Sequence, residues 1–206
     1  MVLHPVAHLN PPASEAPALA PLLVVIGCGN LNRSDDAAAG VRVIQQLRLE
    51  FGDALRADVK LFDAGTGGME VMFQARGASA LVIVDACRSG SDAGAIFRLP
   101  GSEIDGAHQP AYSLHDFRWD HAVHAGRRIF GAAFPSDLTV YLIEAGSMQL
   151  GTELTAPVSR AVGEVCEHIA RSVREWDRER QAHAQANSNA HPNPYPSALP
   201  DAQAPP

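Results

Sequence analysis

A chain of 206 residues with 46% apolar content can bury one substantial core and is too short for two full domains. Its formal charge of −7, with a single lysine (Lys60) among sixteen basic residues, leaves no basic run to follow a phosphate backbone, which excludes a general nucleic-acid binder. Three cysteines, Cys28, Cys87 and Cys166, form no CxxC pair and predict a reducing compartment, with the cytoplasm as the expected location.

Eleven of the fifteen prolines fall in residues 1–21 or 177–206, where core-forming side chains are sparse, so both tails are expected to be disordered. Residues 22–176 are the expected single folded domain. The segment ending Val25-Ile26-Gly27-Cys28 imitates a lipoprotein cleavage site, but no Lys or Arg precedes it to make a charged n-region. No apolar run reaches the ~20 residues of a membrane span, and the protein is expected to be soluble.

Leu22 to Cys28 is a continuous apolar run, the pattern of a strand buried on both faces. The acidic loop GNLNRSDD follows, and then Val41, Ile44 and Leu47 mark one face of a helix ending near Gly52. Val59 to Asp63 is a second strand closed by AGTGG, Met69 to Arg76 a short helix, and Ala80 to Asp85 a third and strongly apolar strand. Ala93 to Leu99 reads as a weaker strand before a long Gly- and Pro-containing loop. His115 to Phe130 is expected to be helical and Leu138 to Glu144 a fifth strand. Val158, Val162, Val165, Ile169, Val173 and Trp176 then line a last helix, with Thr155 suited to its N-cap and Pro157 to its first turn.

Strands alternating with helices predict an α/β three-layer sandwich on a mostly parallel five-stranded sheet. Ligands of such sheets bind at the carboxyl ends of the strands. Three of those ends carry unusual residues: Asn30 to Asp36, Asp63 to Gly68, and Asp85. A dinucleotide site fits poorly, because Gly27-Cys28-Gly29 supplies just the opening of GxGxxG and Asp35 and Asp36 would meet a pyrophosphate with like charge. No nucleotide is therefore expected.

One acid of the Asp35–Asp36 pair is accounted for as a helix cap. Asp85, ending an apolar strand, needs a cation or hydrogen bonds to offset its desolvation, unless it caps the turn after it. His115 is a capping or surface histidine by itself. Asp36, Asp85 and His115 together form an O/O/N set that the topology can gather at one end of the sheet, suited to a borderline divalent ion with open positions. Cys28 or Cys87 could pair with His115 as a thiol–imidazole dyad, but cysteines beside apolar strands fit better as small buried hydrophobes. Asp120, His121 and His124 are left out of the metal set as an exposed helix face.

GCGNLNRSDD, FDAGTGGME, VIVDACRSG and SLHDF, in this order, resemble the motifs of the nickel-iron hydrogenase maturation endopeptidases over residues 22–176. The resemblance implies removal of a C-terminal peptide from the hydrogenase large-subunit precursor after nickel insertion. It implies nickel contacts at Asp36, Asp85 and His115, with the ion contributed by the substrate. It further implies a cleavage role for Asp63 and substrate-loop roles for Asn30, Gly65, Thr66 and Gly67. The motif DDAAAG holds one residue more than the DDAAG common in that family, which leaves Asp35 beside Asp36 as the acid concerned. No membrane partner is implied. Two other readings share features of the sequence: a peptidyl-tRNA hydrolase-like enzyme, which opens with a similar G-x-G-N loop but needs a basic surface, and a chaperone that binds the large subunit without cutting it.

Overall fold

The computed structural model describes residues 22–30, 36–104, 118–150 and 153–190. The chain divides into two compact units, residues 1–167 and 168–206. In the first, β1 (Leu23–Cys28), β2 (Val59–Gly65), β3 (Ala80–Cys87), β4 (Ile96–Pro100) and β5 (Asp137–Glu144) form one sheet in the order β2-β1-β3-β5-β4. The first four strands of that order run parallel, and β4 pairs antiparallel with β5 at the edge. This is the mostly parallel five-stranded sheet expected from the sequence.

Every residue of β1 is buried, as its unbroken apolar run predicts for a central strand covered on both faces. Helix α1 (Ala39–Phe51) buries Val41, Ile44 and Leu47 as their spacing requires, and α4 begins at Ala156 beside it, where the Cys166 thiol points to the Val43 carbonyl at 3.6 Å. Helices α2 (Gly68–Ala75) and α3 (Trp119–Phe130) share a second hydrophobic cluster that joins Val24 and Ile26 to Val71, Met72, Trp119 and Val123. The three layers follow from these two apolar clusters, one on each face of the sheet.

A single close approach sets where α1 begins. A methyl group on Gly40 would lie 2.3 Å from the carbonyl oxygens of both Cys28 and Val84, and one on Gly27 would lie 2.2 Å from the Gly40 oxygen. No residue with a Cβ fits there, so the first turn of α1 sits directly on the carboxyl ends of β1 and β3. Asp36, just before this turn, is thereby held at the rim of the sheet.

Differences from the sequence reading lie at element ends. Strand β3 continues two residues past Asp85, because β5 pairs with it as far as Cys87. The second unit contains the continuation of α4 from His168, which runs to Ala190, well beyond the expected end at Trp176. Residues 177–190 carry Glu, Arg, Gln and Ala and no proline or glycine, so helix propensity carries the turn onward until Pro192 is near. Residues 1–21 and 191–206 lie outside the described residues, as do residues 115–117 at the expected start of α3.

Candidate active site

Strand β1 leads through α1 to β2 on one side, and β2 leads through α2 to β3 on the other side of β1. The loops leaving β1 and β3 therefore diverge and open a crevice at the carboxyl edge of the sheet, the place where doubly wound sheets bind ligands. A cleft of about 300 Å³ occupies it. Asn30, Gly65, Thr66, Gly67 and Asp85, five of the residues singled out from the sequence, line this cleft, together with Cys28, Ala37, Arg118, Trp119 and Met148.

Asp85 owes its position to the end of one ladder and the persistence of another. Pairing between β1 and β3 stops at Gly27 and Val84, whereas β3 and β5 pair onward from Asp85 opposite Leu142. Asp85 thus stands where its strand has lost one neighbour, with a side chain 16% exposed toward the cleft. Burial pushes its carboxyl up to about 6, opposed by the Ala86 backbone N–H at 2.8 Å, the Arg118 guanidinium at 4.0 Å and the Trp119 indole. A carboxylate desolvated this far and so loosely paired favours an arriving cation.

The glycine-rich turn is braced by its own aspartate. Asp63 Oδ1 accepts the Gly65 N–H at 2.8 Å, and Gly65 adopts a φ of 54°, a left-handed conformation that a side chain would resist. The Gly65 carbonyl then accepts the Gly29 N–H at 2.8 Å, which ties the loop after β2 to the loop after β1. Cys28 closes the floor between them. Burial first, then the Asp85 and Asp63 carboxylates, against the pull of Arg118, keep its thiol well above the usual range. Cys28 is a neutral buried thiol, the bland role expected from its strand.

Asp36 is not brought to the cleft. It is completely buried, with Oδ2 accepting the Gly146 and Ser147 N–H groups at 2.7 Å and the Thr155 hydroxyl at 3.0 Å, while Oδ1 accepts the Thr155 N–H at 2.8 Å. The residue lies in a short 3-10 turn, Asp36–Ala38, that leads into α1, and its carboxylate braces the connection between β5 and α4. Its neighbour Ala37 lines the cleft instead. Asp35 and His115 lie outside the described residues, and among the described residues no group of three or more His, Cys, Asp or Glu could hold a metal ion.

A sequence model described as hydrogenase maturation protease matches residues 41–172. The chain belongs to the hydrogenase maturation protease family. It is 28% identical over 154 residues to the Hydrogenase 2 maturation protease of Escherichia coli (strain K12), covering 74% of this chain and 91% of that protein. The structure of the hydrogenase maturating endopeptidase HybD from E. coli superposes with a TM-score of 0.63 at 28% identity, over 75% of this chain and 93% of that one. A NiFe hydrogenase maturation protease HycI from Thermococcus kodakarensis KOD1 shares the fold, with a TM-score of 0.57 at 21% identity over 74% and 92% of the two chains.

The span matched to the maturation proteases includes Asp63 and Asp85 and begins at Val41, just past Asp36. Sequence reasoning missed a second buried carboxylate in this family member. Glu144 ends β5 and is 3% exposed, and its oxygens accept the Ser89 N–H, the Ser89 hydroxyl, the Gly90 N–H and the Cys87 thiol at 2.8–3.2 Å. The Ser89 backbone N–H, with the other donors, overcomes burial and holds its carboxyl down at about 2. Glu144 fixes the loop after β3, just as Asp36 fixes the loop after β5. An acid closing an apolar strand, LTVYLIE, was the available signal, the same one that marked Asp85. His121 and Asp120 stand together on α3, with Nδ1 and Oδ1 3.6 Å apart.

Proposed function

We propose that this protease removes the C-terminal peptide of a nickel-iron hydrogenase large-subunit precursor once nickel has been inserted, and that the nickel held by the precursor is what it recognises. The observation that carries the reading is the meeting of Asp85 with the Asp63–Gly68 loop at one crevice of a maturation-protease fold. A partly desolvated carboxylate and a rigid glycine-rich backbone, close together, suit a substrate that presents a metal ion beside an extended peptide.

In this reading Asp85 and His115 contact the nickel. Asp36, the third contact implied by the family resemblance, would have to release the donors of Gly146, Ser147 and Thr155 to reach it. Asn30 and the backbone of Gly65, Thr66 and Gly67 hold the peptide, and Asp63 acts on the scissile bond. Hydrolysis adds the hydroxyl of a water to the carbonyl carbon and a proton to the departing amine, and in this reading the Asp63 carboxylate takes that proton from water and passes it on. Three free cysteines fit work in the reducing cytoplasm.

The test is incubation of purified protein with nickel-loaded and nickel-free large-subunit precursor, followed by mass spectrometry of the precursor's C-terminus. Shortening of the nickel-loaded form alone is the expected result. Shortening of both forms removes nickel recognition, and tight binding without shortening leaves a chaperone.

A further inference from the structure

We infer that a second cleft, beside the first, is a subsite for a carboxylate on the peptide segment that is cut away. This rests on the processing reading above and adds to it the chemistry of the substrate. The cleft has a volume of about 400 Å³ and is lined by Cys87, Arg88, Arg118, Ala145 and Met148. Ala86, Arg118 and Met148 line both clefts, so the two adjoin along that divide.

Charge separates them. The first is lined by Asp85 and the second by Arg88, with Arg118 on the divide between them, in a chain whose formal charge is −7. The nearby acids do not consume these arginines. Glu144 is filled by donors from Cys87, Ser89 and Gly90, and Asp85 meets Arg118 through one contact at the 4.0 Å limit of an ion pair. Among the described residues Arg88 makes no ion pair, although Glu144 holds the backbone N–H of Ser89 just after it and the thiol of Cys87 just before it.

An exposed arginine on a floppy loop is ordinary, but Arg88 stands on a loop clamped by a buried acid, and Arg118 immediately precedes the first turn of α3. Two guanidinium forks held at one cleft match the geometry of a carboxylate, which takes paired N–H donors. A peptide crossing from the first cleft to the second would present a cation to Asp85 and an anion to Arg88 and Arg118. That polarity fixes its direction as well as its affinity.

The experiment measures calorimetric binding and processing of the nickel-loaded precursor by wild-type protein, by Arg88→Gln, by Arg118→Gln and by the double variant. Their melting temperatures are compared to exclude misfolding. We expect each single change to weaken binding about tenfold and the double change more, with a shallower salt dependence, since charge-assisted contacts are lost. Two altered substrates locate the carboxylate: a precursor whose removed segment has its acidic side chains changed to amides, and a semisynthetic one ending in a C-terminal amide. The one that erases the difference between wild type and double variant carries the group. Equal affinity of wild type and double variant, or a difference that survives both substrate changes, overturns the inference. Wild-type protein that binds the precursor without cutting it defeats the processing reading alone, and protein that does not bind it defeats both.

Discussion

Asp36 and Thr155 are joined by two hydrogen bonds, from the threonine backbone N–H at 2.8 Å and from its hydroxyl at 3.0 Å, across 119 residues of sequence. The contact fastens the entry of α1 to the entry of α4, with Gly146 and Ser147 held by the same carboxylate. Replacing Asp36 by alanine strands buried donors as well as losing bonds, so we expect destabilisation of about 3 kcal/mol or more. Thr155→Val loses the hydroxyl alone and should cost about 1 kcal/mol. Urea unfolding of the two variants measures this, and Asp36→Ala with wild-type stability would contradict the brace.

Asp85 predicts the opposite sign. Its folded carboxyl titrates at about 6 against an ordinary 3.8, mainly because burial disfavours the charge. The native state therefore holds a proton that the unfolded chain releases between about pH 4 and 6, and stability falls as pH rises through that window. Asp85→Asn removes the effect, so above pH 6 the variant should be more stable than wild type by up to about 3 kcal/mol, with the gap closing below pH 4. Unfolding curves at a series of pH values test it. Processing by the variant should be lost despite the added stability, because an amide offers a cation no charge.

Glu144 runs the other way. Its carboxyl is held near 2 against an ordinary 4.5, so its stabilising effect is complete above about pH 4.5 and disappears as pH falls toward 2. Glu144→Gln should shift the acid-unfolding midpoint upward, since an amide nitrogen would face the N–H groups of Ser89 and Gly90. Circular dichroism followed from pH 6 to pH 2 reads the shift, and coincident wild-type and variant curves would rule it out.

Asp63→Asn separates bracing from chemistry. The amide oxygen can still accept the Gly65 N–H, so the loop and the melting temperature should be preserved. If the carboxylate acts on the scissile bond, processing falls by at least a hundredfold while precursor binding stays within a few-fold. A stable Asp63→Asn protein that cuts at the wild-type rate would confine Asp63 to bracing the turn.

The fold was legible because each element carries its burial in its own residues. The unbroken run of β1, the period of Val41, Ile44 and Leu47, and the alternation of strands with helices each follow from apolar spacing. Asp85 was legible for a related reason: a charge that ends an apolar strand is conspicuous in one dimension. Hidden from the sequence was the use of each acid, since hydrogen-bond donors arrive from residues far away in the chain. Asp36 and Asp85 both stand at the carboxyl rim of the sheet, one opening the turn into α1 and the other near the end of β3. The loop of Gly146, Ser147 and Thr155 closes over one and supplies four bonds, whereas the end of the β1–β3 ladder leaves the other facing a cleft with one backbone donor, the Trp119 indole and a loosely held arginine. Local pattern fixes where a carboxylate stands along its strand, and tertiary packing decides whether its charge is satisfied within the protein or left for a ligand.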